Sequence, residues 1–358
     1  MDIQIEKIPP QECSPKPKKG TPLGFGKYFT DYMFIMEYEE GKGWFNPRIK
    51  KLENLSLSPA AKVLHYGQEI FEGLKAYWRA DNKIGLFRAD CNYVRLNKSA
   101  QRLCMPAVPI EDHQQALYEL LKLEKDWFPK DEQESMYIRP TMIGIEPTLG
   151  VRESASYLFY IILSPSGAYF TKGFNPVTVY VCDKYIRAAV GGTGEAKTGG
   201  NYASSLLAGF EARKRGCDQV LWLDAKEFRY VQEVGAMNIC FVFDDDTVVT
   251  SALSGAILDG VTRSSVLELS RDLGYQVEVR DISIEEVIEE IHSKRLTECF
   301  GCGTAAVISP IGKLLYKDTV YEIGKESGPV SIRLFKELTD IQWGHIPDRF
   351  GWTTVVEK

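Results

Sequence analysis

The stretch 191–202, GGTGEAKTGGNY, constrains this chain more than any other, because five glycines in twelve residues surround a single lysine, Lys197. Glycine admits positive φ and lets a backbone approach a ligand or a neighbouring segment closely. Strand-like runs at 177–181 and 186–190 precede the stretch and a helical pattern at 204–215 follows it. A strand-to-helix junction is therefore expected around Lys197. One chemistry for such a junction is a phosphate cradle. Residues 191–198 match GxxxxGKT except that Ala196 replaces the last glycine, and VLWLD at 220–224 resembles a Walker-B strand. That nucleotide-binding reading requires a helix starting at the Lys-Ser/Thr pair, so that its amides face the phosphates. Gly199-Gly200-Asn201 disfavours a helix at that point.

A second chemistry makes Lys197 a Schiff-base lysine. The amine must be neutral to attack a carbonyl, so it needs burial or cationic neighbours. If the carbonyl belongs to pyridoxal phosphate, the protein must also supply an anion site and a carboxylate for the pyridine nitrogen. The plain alternative is a flexible glycine loop with a solvated lysine, so the rest of the chain decides.

A length of 358 residues suggests about two domains. Residues 165–176, rich in glycine, proline and aromatics, read as a linker between a domain at 1–164 and another at 177–358. The net charge of −6 offers no basic face to a nucleic-acid backbone, and the longest apolar run, 157–163, is too short for a membrane span. The opening MDIQIEKIPP lacks the apolar core of a signal peptide, so a cytoplasmic location is expected. Eight cysteines fit that compartment. Cys299 and Cys302 form one C-x-x-C with no second pair, and the four histidines stand singly, so no metal site is expected. On an extended strand those two thiols point to opposite faces, which opposes a disulfide.

Residues 1–25 read as an extended arm and 41–47 as a turn-rich connector. Strands are expected at 31–38, 136–144, 157–163, 219–223 and 239–243, and helices at 91–103, 111–127, 264–273 and 329–342. Ser283 and Glu286 form a capping box. Arg95 and Arg102 share a helical face, where Arg95 alone reads as a surface ion-pair residue. Tyr137 and Arg139 share a strand face, and an arginine in that apolar strand calls for a carboxylate partner. Gly260 and Thr262 before a helix offer amides and a hydroxyl to an anion, or form a simple cap.

These weak signals coincide in a set of longer motifs: LHYG (64–67), FEGLKAY (71–77), YIRP (137–140), GAYF (167–170), KTGGNYASSLL (197–207), EVGAMN (233–238), LDGVTR (258–263) and GTAAVISP (303–310). In these, the chain resembles the branched-chain amino acid aminotransferases of the fold-type IV pyridoxal-phosphate class, from about residue 23 to beyond 316. The resemblance implies an α/β (mixed α+β) fold, with a small N-terminal α/β domain and a larger C-terminal pseudo-barrel domain. It implies a homodimer that moves the amino group of leucine, isoleucine or valine to 2-oxoglutarate in a ping-pong reaction. Lys197 would hold pyridoxal 5'-phosphate and shuttle the proton, Glu233 would face the pyridine nitrogen, Tyr202 the ring hydroxylate, and Leu258 the ring. Arg95, Val261, Thr262 and Thr304 would surround the phosphate, with Arg187 also near the cofactor. Tyr66, Arg139 and the Thr304–Ala305 turn would meet the substrate carboxylate, while Phe71, Tyr137, Tyr169 and Tyr202 wall the side-chain pocket. Tyr66 would reach in from the partner subunit.

Two departures stand out. Ala236 occupies a pocket position where mammalian members of that family carry threonine, and Ala306 and Ser309 stand where they carry a C-x-x-C, so a redox switch is not implied. D-amino acid aminotransferases and aminodeoxychorismate lyases share the fold. YIRP and EVGAMN favour the branched-chain type over both.

Overall fold

The computed structural model describes residues 1–131, 134–167 and 174–356. They divide into two compact units: Met1–Thr171 with Ala196–Gly199 and Ile341–Lys358, and Lys172–Glu195 with Gly200–Asp340. Lys197 therefore belongs to the first unit, although the segments that end at Glu195 and resume at Gly200 belong to the second.

The first unit is built on a nine-stranded sheet. Its centre is the antiparallel pair Ser135–Gly144 and Ser156–Ser166, flanked by Tyr32–Glu39 on one side and by Leu74–Trp78 on the other. The short strand Glu69–Phe71 branches off Ser135–Gly144. Helices Ala89–Arg102 and Ile110–Leu123 cover one face, burying Leu96, Ala100, Leu117, Leu120 and Leu121 against Phe34, Ile138, Phe159 and Ile161. Those apolar positions recur at helical spacing in the helices and at alternate positions in the strands, so one face of the sheet is committed to core. By the same alternation Tyr137, Arg139 and Thr141 project from the opposite face.

The second unit has its own nine-stranded sheet, of mixed direction. Val177–Cys182 and Gln219–Leu223 run parallel, as do Thr247–Thr250 and Gln276–Val279. Each parallel pair needs a crossover, supplied by helices Leu206–Lys214 and Val261–Asp272. Helix Leu206–Lys214 buries Ala208 and Ala212 against Tyr180, Cys182, Val220 and Trp222. Strands Leu296–Gly303 and Val307–Tyr316 form a hairpin whose turn is residues 304–306.

Several elements differ from expectation. Residues 186–190 form no strand, because the Arg187 guanidinium turns inward to main-chain carbonyls. A short helix, Gly199–Ala203, begins directly after Thr198 despite its glycines. Asn201 holds it by exchanging hydrogen bonds with Thr193. The connector at 41–47 is largely strand, within Gly43–Lys51, and Pro47 is tolerated because the register to Tyr32–Glu39 shifts between Ile35 and Glu37, which leaves residues 46 and 47 in a bulge. The helix expected at 264–273 begins three residues earlier, at Val261. Arg95 is buried and Arg102 exposed, so the shared face ends with the helix, and Arg95 is an interior ion-pair residue rather than a surface one. All eight cysteines are free. Cys299 lies opposite Phe241 and Cys302 opposite Asn238 on an extended strand, in line with the geometric argument against a bond.

Candidate active site

Lys197 is fixed through its backbone. Its N–H donates to Ser99 Oγ at 2.9 Å, and its carbonyl accepts the Phe71 N–H at 3.0 Å. Thr198 Oγ1 donates to the Glu69 carbonyl at 2.8 Å. The Lys197 amide is thus spent on helix Ala89–Arg102 rather than offered to a nucleotide phosphate. The amine of Lys197 lies 5.2 Å from the centre of the Phe71 ring. Arg139 covers the same ring, its Cζ 4.6 Å from the centroid, and donates to Tyr137 Oη at 3.0 Å. Arg139 Nε is buried and has no acceptor among the described residues. An amine and a guanidinium over one aromatic ring, with a donor unspent, suit an anionic ligand that carries an apolar part.

Arg95 is gripped by Glu72, Nε to Oε1 at 2.7 Å and a terminal nitrogen to Oε2 at 2.9 Å. Asn92 also donates to Glu72, at 2.8 Å. Burial opposes the charge on Glu72, yet Arg95, Lys197 and Asn92 together hold its carboxyl below the usual range. The pair orients Arg95, whose guanidinium has five donors in all. Lys75 is a further buried cation, opposite Tyr137 in register, and burial lowers its ammonium to about 8. Tyr66 is exposed, and its hydroxyl donates to the Leu149 carbonyl.

In the second unit Glu233 is buried on strand Val231–Val234. Its Oε1 accepts the Leu258 N–H at 2.7 Å, and its Oε2 lies 3.0 Å from Arg187 Nε. Arg187 donates onward to the carbonyls of Ala256 and Gly194. Arg187 thus braces Glu233. Asn238 Nδ2 holds the Leu258 carbonyl at 2.9 Å, so both main-chain groups of Leu258 are fixed. Val261 and Thr262 open helix Val261–Asp272 behind the N-cap Gly260, and the amide end of a helix favours an anion. Tyr202 is half-buried on Gly199–Ala203. Thr304 and Ala305 occupy the hairpin turn, followed by Val307 at φ 62°. A β-branched residue there is a strained conformation that fixes the turn's shape. Ala236 is exposed in the tight turn between Val234 and Met237. Tyr169 lies outside the described residues.

The model of the amino-transferase class IV family matches residues 69–314. The chain is 50% identical, over 99% of each chain, to the branched-chain-amino-acid transaminase 1 of Bacillus subtilis. The chain belongs to the class IV aminotransferases. Its structure also resembles the T.th. branched-chain amino acid aminotransferase solved with pyridoxamine 5'-phosphate, at a TM-score of 0.75 and 28% identity, covering 90% of this chain and 98% of that one. A second structure of that aminotransferase, complexed with N-(5'-phosphopyridoxyl)-L-glutamate, matches at a TM-score of 0.74 and 28% identity over the same shares. These neighbours establish the fold-type IV architecture expected from the motifs. Glu69, Glu72 and Lys75 are charged groups that the motif reading of this aminotransferase passed over. The only sequence signal was three charges packed into an otherwise strand-like run at 69–77.

Proposed function

We propose that this aminotransferase exchanges the amino groups of L-leucine, L-isoleucine or L-valine with 2-oxoglutarate in a ping-pong reaction dependent on pyridoxal 5'-phosphate. The observation that carries the reading is the Phe71 ring with the Lys197 amine at 5.2 Å and the Arg139 guanidinium at 4.6 Å. The residues fit the cofactor: an amine, a braced buried carboxylate at Glu233, and a helix N-terminus at Val261 and Thr262. When bound, the cofactor supplies an aldehyde to carry the amino group and a protonated ring to spread the negative charge left at the substrate Cα.

The chain's own groups do the rest. With the cofactor bound, the Lys197 amine would take the proton from the substrate Cα and pass it on to the cofactor. Glu233 would keep the pyridine nitrogen protonated, and its brace by Arg187 keeps the carboxylate aimed. Tyr202 donates to the ring hydroxylate and Leu258 packs on the ring. Arg95, Val261, Thr262 and Thr304 hold the phosphate. Arg139 with the Thr304 and Ala305 turn holds the substrate carboxylate, and Phe71, Tyr137 and Tyr169 exclude water from its side chain. An aromatic wall lined by tyrosine offers faces to an aliphatic group and hydroxyls to a second carboxylate.

A homodimer in which Tyr66 serves the partner's site is part of the proposal. Exposed Leu64, Tyr66, Leu149 and Val151 on the first unit, and exposed Leu206, Leu207 and Phe210 on the second, support an interface. The eight free cysteines support a cytoplasmic location, and no helix of the described residues is long and apolar enough to cross a membrane. A panel of amino donors with 2-oxoglutarate tests the reading. L-Leucine, L-isoleucine and L-valine should exceed L-alanine and L-aspartate in kcat/KM, at roughly 1–3 kcal/mol per methylene lost from the apolar pocket. Preference for D-alanine would overturn it.

A further inference from the structure

Glu69 has no part in the roles above. It opens strand Glu69–Phe71, two residues before Phe71 and so on the same strand face. Its carboxylate accepts the Gly199 N–H, and the approach is so close that a Cβ on Gly199 would stand 1.7 Å from Oε1. The glycine at 199 is therefore the counterpart of a carboxylate at 69. The Arg139 charge acts on Glu69, and Glu69 acts in turn on Tyr160, a phenol that burial keeps neutral. Of the other charged groups on elements packed against this strand, Lys197 lies on the adjoining loop, and Arg95 on helix Ala89–Arg102 is engaged by Glu72. Half-burial raises the Glu69 carboxyl above the usual carboxylate range, with the Gly199 amide and Arg139 opposing the rise.

We propose that Glu69 sets the balance between apolar and dicarboxylate substrates, by placing a removable negative charge within the field of Arg139. The inference rests on the transaminase reading above. An ionised Glu69 offsets part of the positive field of Arg139, which the first carboxylate of every substrate meets, and in addition repels a second carboxylate on the substrate. An aliphatic side chain feels no such repulsion to first order. Protonation of Glu69 removes the repulsion. The preference for the dicarboxylate over the aliphatic substrate therefore falls as pH rises through the titration of Glu69.

The test uses the full-length holoenzyme as wild type, Glu69→Gln and Glu69→Asp. Binding of two unreactive acids, glutarate and 4-methylpentanoate, is measured by calorimetry from about pH 4.5 to about pH 8.5, upward from the ordinary carboxylate range. The kcat/KM values for L-glutamate and L-leucine are measured in parallel. Glu69→Gln should tighten glutarate about three- to tenfold more than it tightens 4-methylpentanoate at the alkaline end, and flatten the pH dependence of their ratio. Glu69→Asp, which keeps the charge, should keep the wild-type ratio. An unchanged ratio in Glu69→Gln, an equal change in both acids, or an Asp variant that behaves like Gln would overturn this inference alone. A wild type that fails to transaminate L-leucine would overturn the transaminase reading, and this inference with it.

Discussion

Main-chain and hydroxyl bonds to Ser99, Phe71 and Glu69 hold the Lys197 segment without using its amine. Removing the amine should therefore leave the fold intact while ending the chemistry. Lys197→Ala is expected to keep its circular dichroism spectrum, lose the visible absorption that the cofactor gains on bonding to lysine, and lose at least about a thousandfold in turnover. Near-normal turnover in a folded variant would remove Lys197 from its role. A second residue reports on the fold. Glu124 accepts the Tyr32 N–H at 2.5 Å, and burial lifts its carboxyl to about 7. A raised carboxyl favours folding below its unfolded value, and that contribution is lost as pH climbs from about 4.5 through about 7. Glu124→Gln stays neutral, so its stability relative to wild type should improve by about 2 kcal/mol across that window. Urea melts at both ends of the range check this, and a constant difference would contradict it. At this scale Lys197 and Glu233 were legible because each sits in a long motif. Glu72 was not, since its partner Arg95 comes 23 residues later, and no local pattern links a turn-like Glu-Gly to a helix face.

Elements carry the site only where loops are packed tightly enough to fix them. Gly194 is such a point, because a Cβ there would stand 2.5 Å from the Ala256 carbonyl oxygen, and backbone cannot swing aside. Both residues supply carbonyls to Arg187, which braces Glu233. Gly194→Ala should cost about 2 kcal/mol or more of stability and lower kcat more than it raises KM. A variant with wild-type melting temperature and kcat would show that the brace is dispensable. The Ser283 cap was readable in advance, and Ser283 Oγ does accept the Glu286 N–H at 3.1 Å. Helix Gly199–Ala203 and the irregular 186–190 were not, because Asn201 and Arg187 reach partners beyond their own segments. Propensity weighs a residue against its neighbours in sequence, and these were decided by packing.

For the whole molecule, the two sheets follow from periodicity, whereas the grouping of Ala196–Gly199 with Met1–Thr171 does not. Four residues that change unit leave no mark on composition. The exposed Leu64, Tyr66, Leu149 and Val151 bear on assembly. If Tyr66 serves the partner's site, Lys197→Ala and Tyr66→Ala subunits, each nearly inactive alone, should recover activity when mixed. A heterodimer then holds one site with both lesions and one with neither. Heterodimers shown to form without recovery would place Tyr66 in its own subunit's site or in none.

The central claim is that this chain carries an amino group from an aliphatic amino acid on a bound cofactor, and it is tested most directly in a single turnover. Holoenzyme is mixed with nitrogen-15-labelled L-leucine and no oxo acid, then separated from free leucine and given 2-oxoglutarate. The account predicts one 4-methyl-2-oxopentanoate per active site in the first step, with the label retained by the protein and released as glutamate in the second. Oxo acid formed beyond one equivalent with free ammonia, or label that never reaches glutamate, would contradict it.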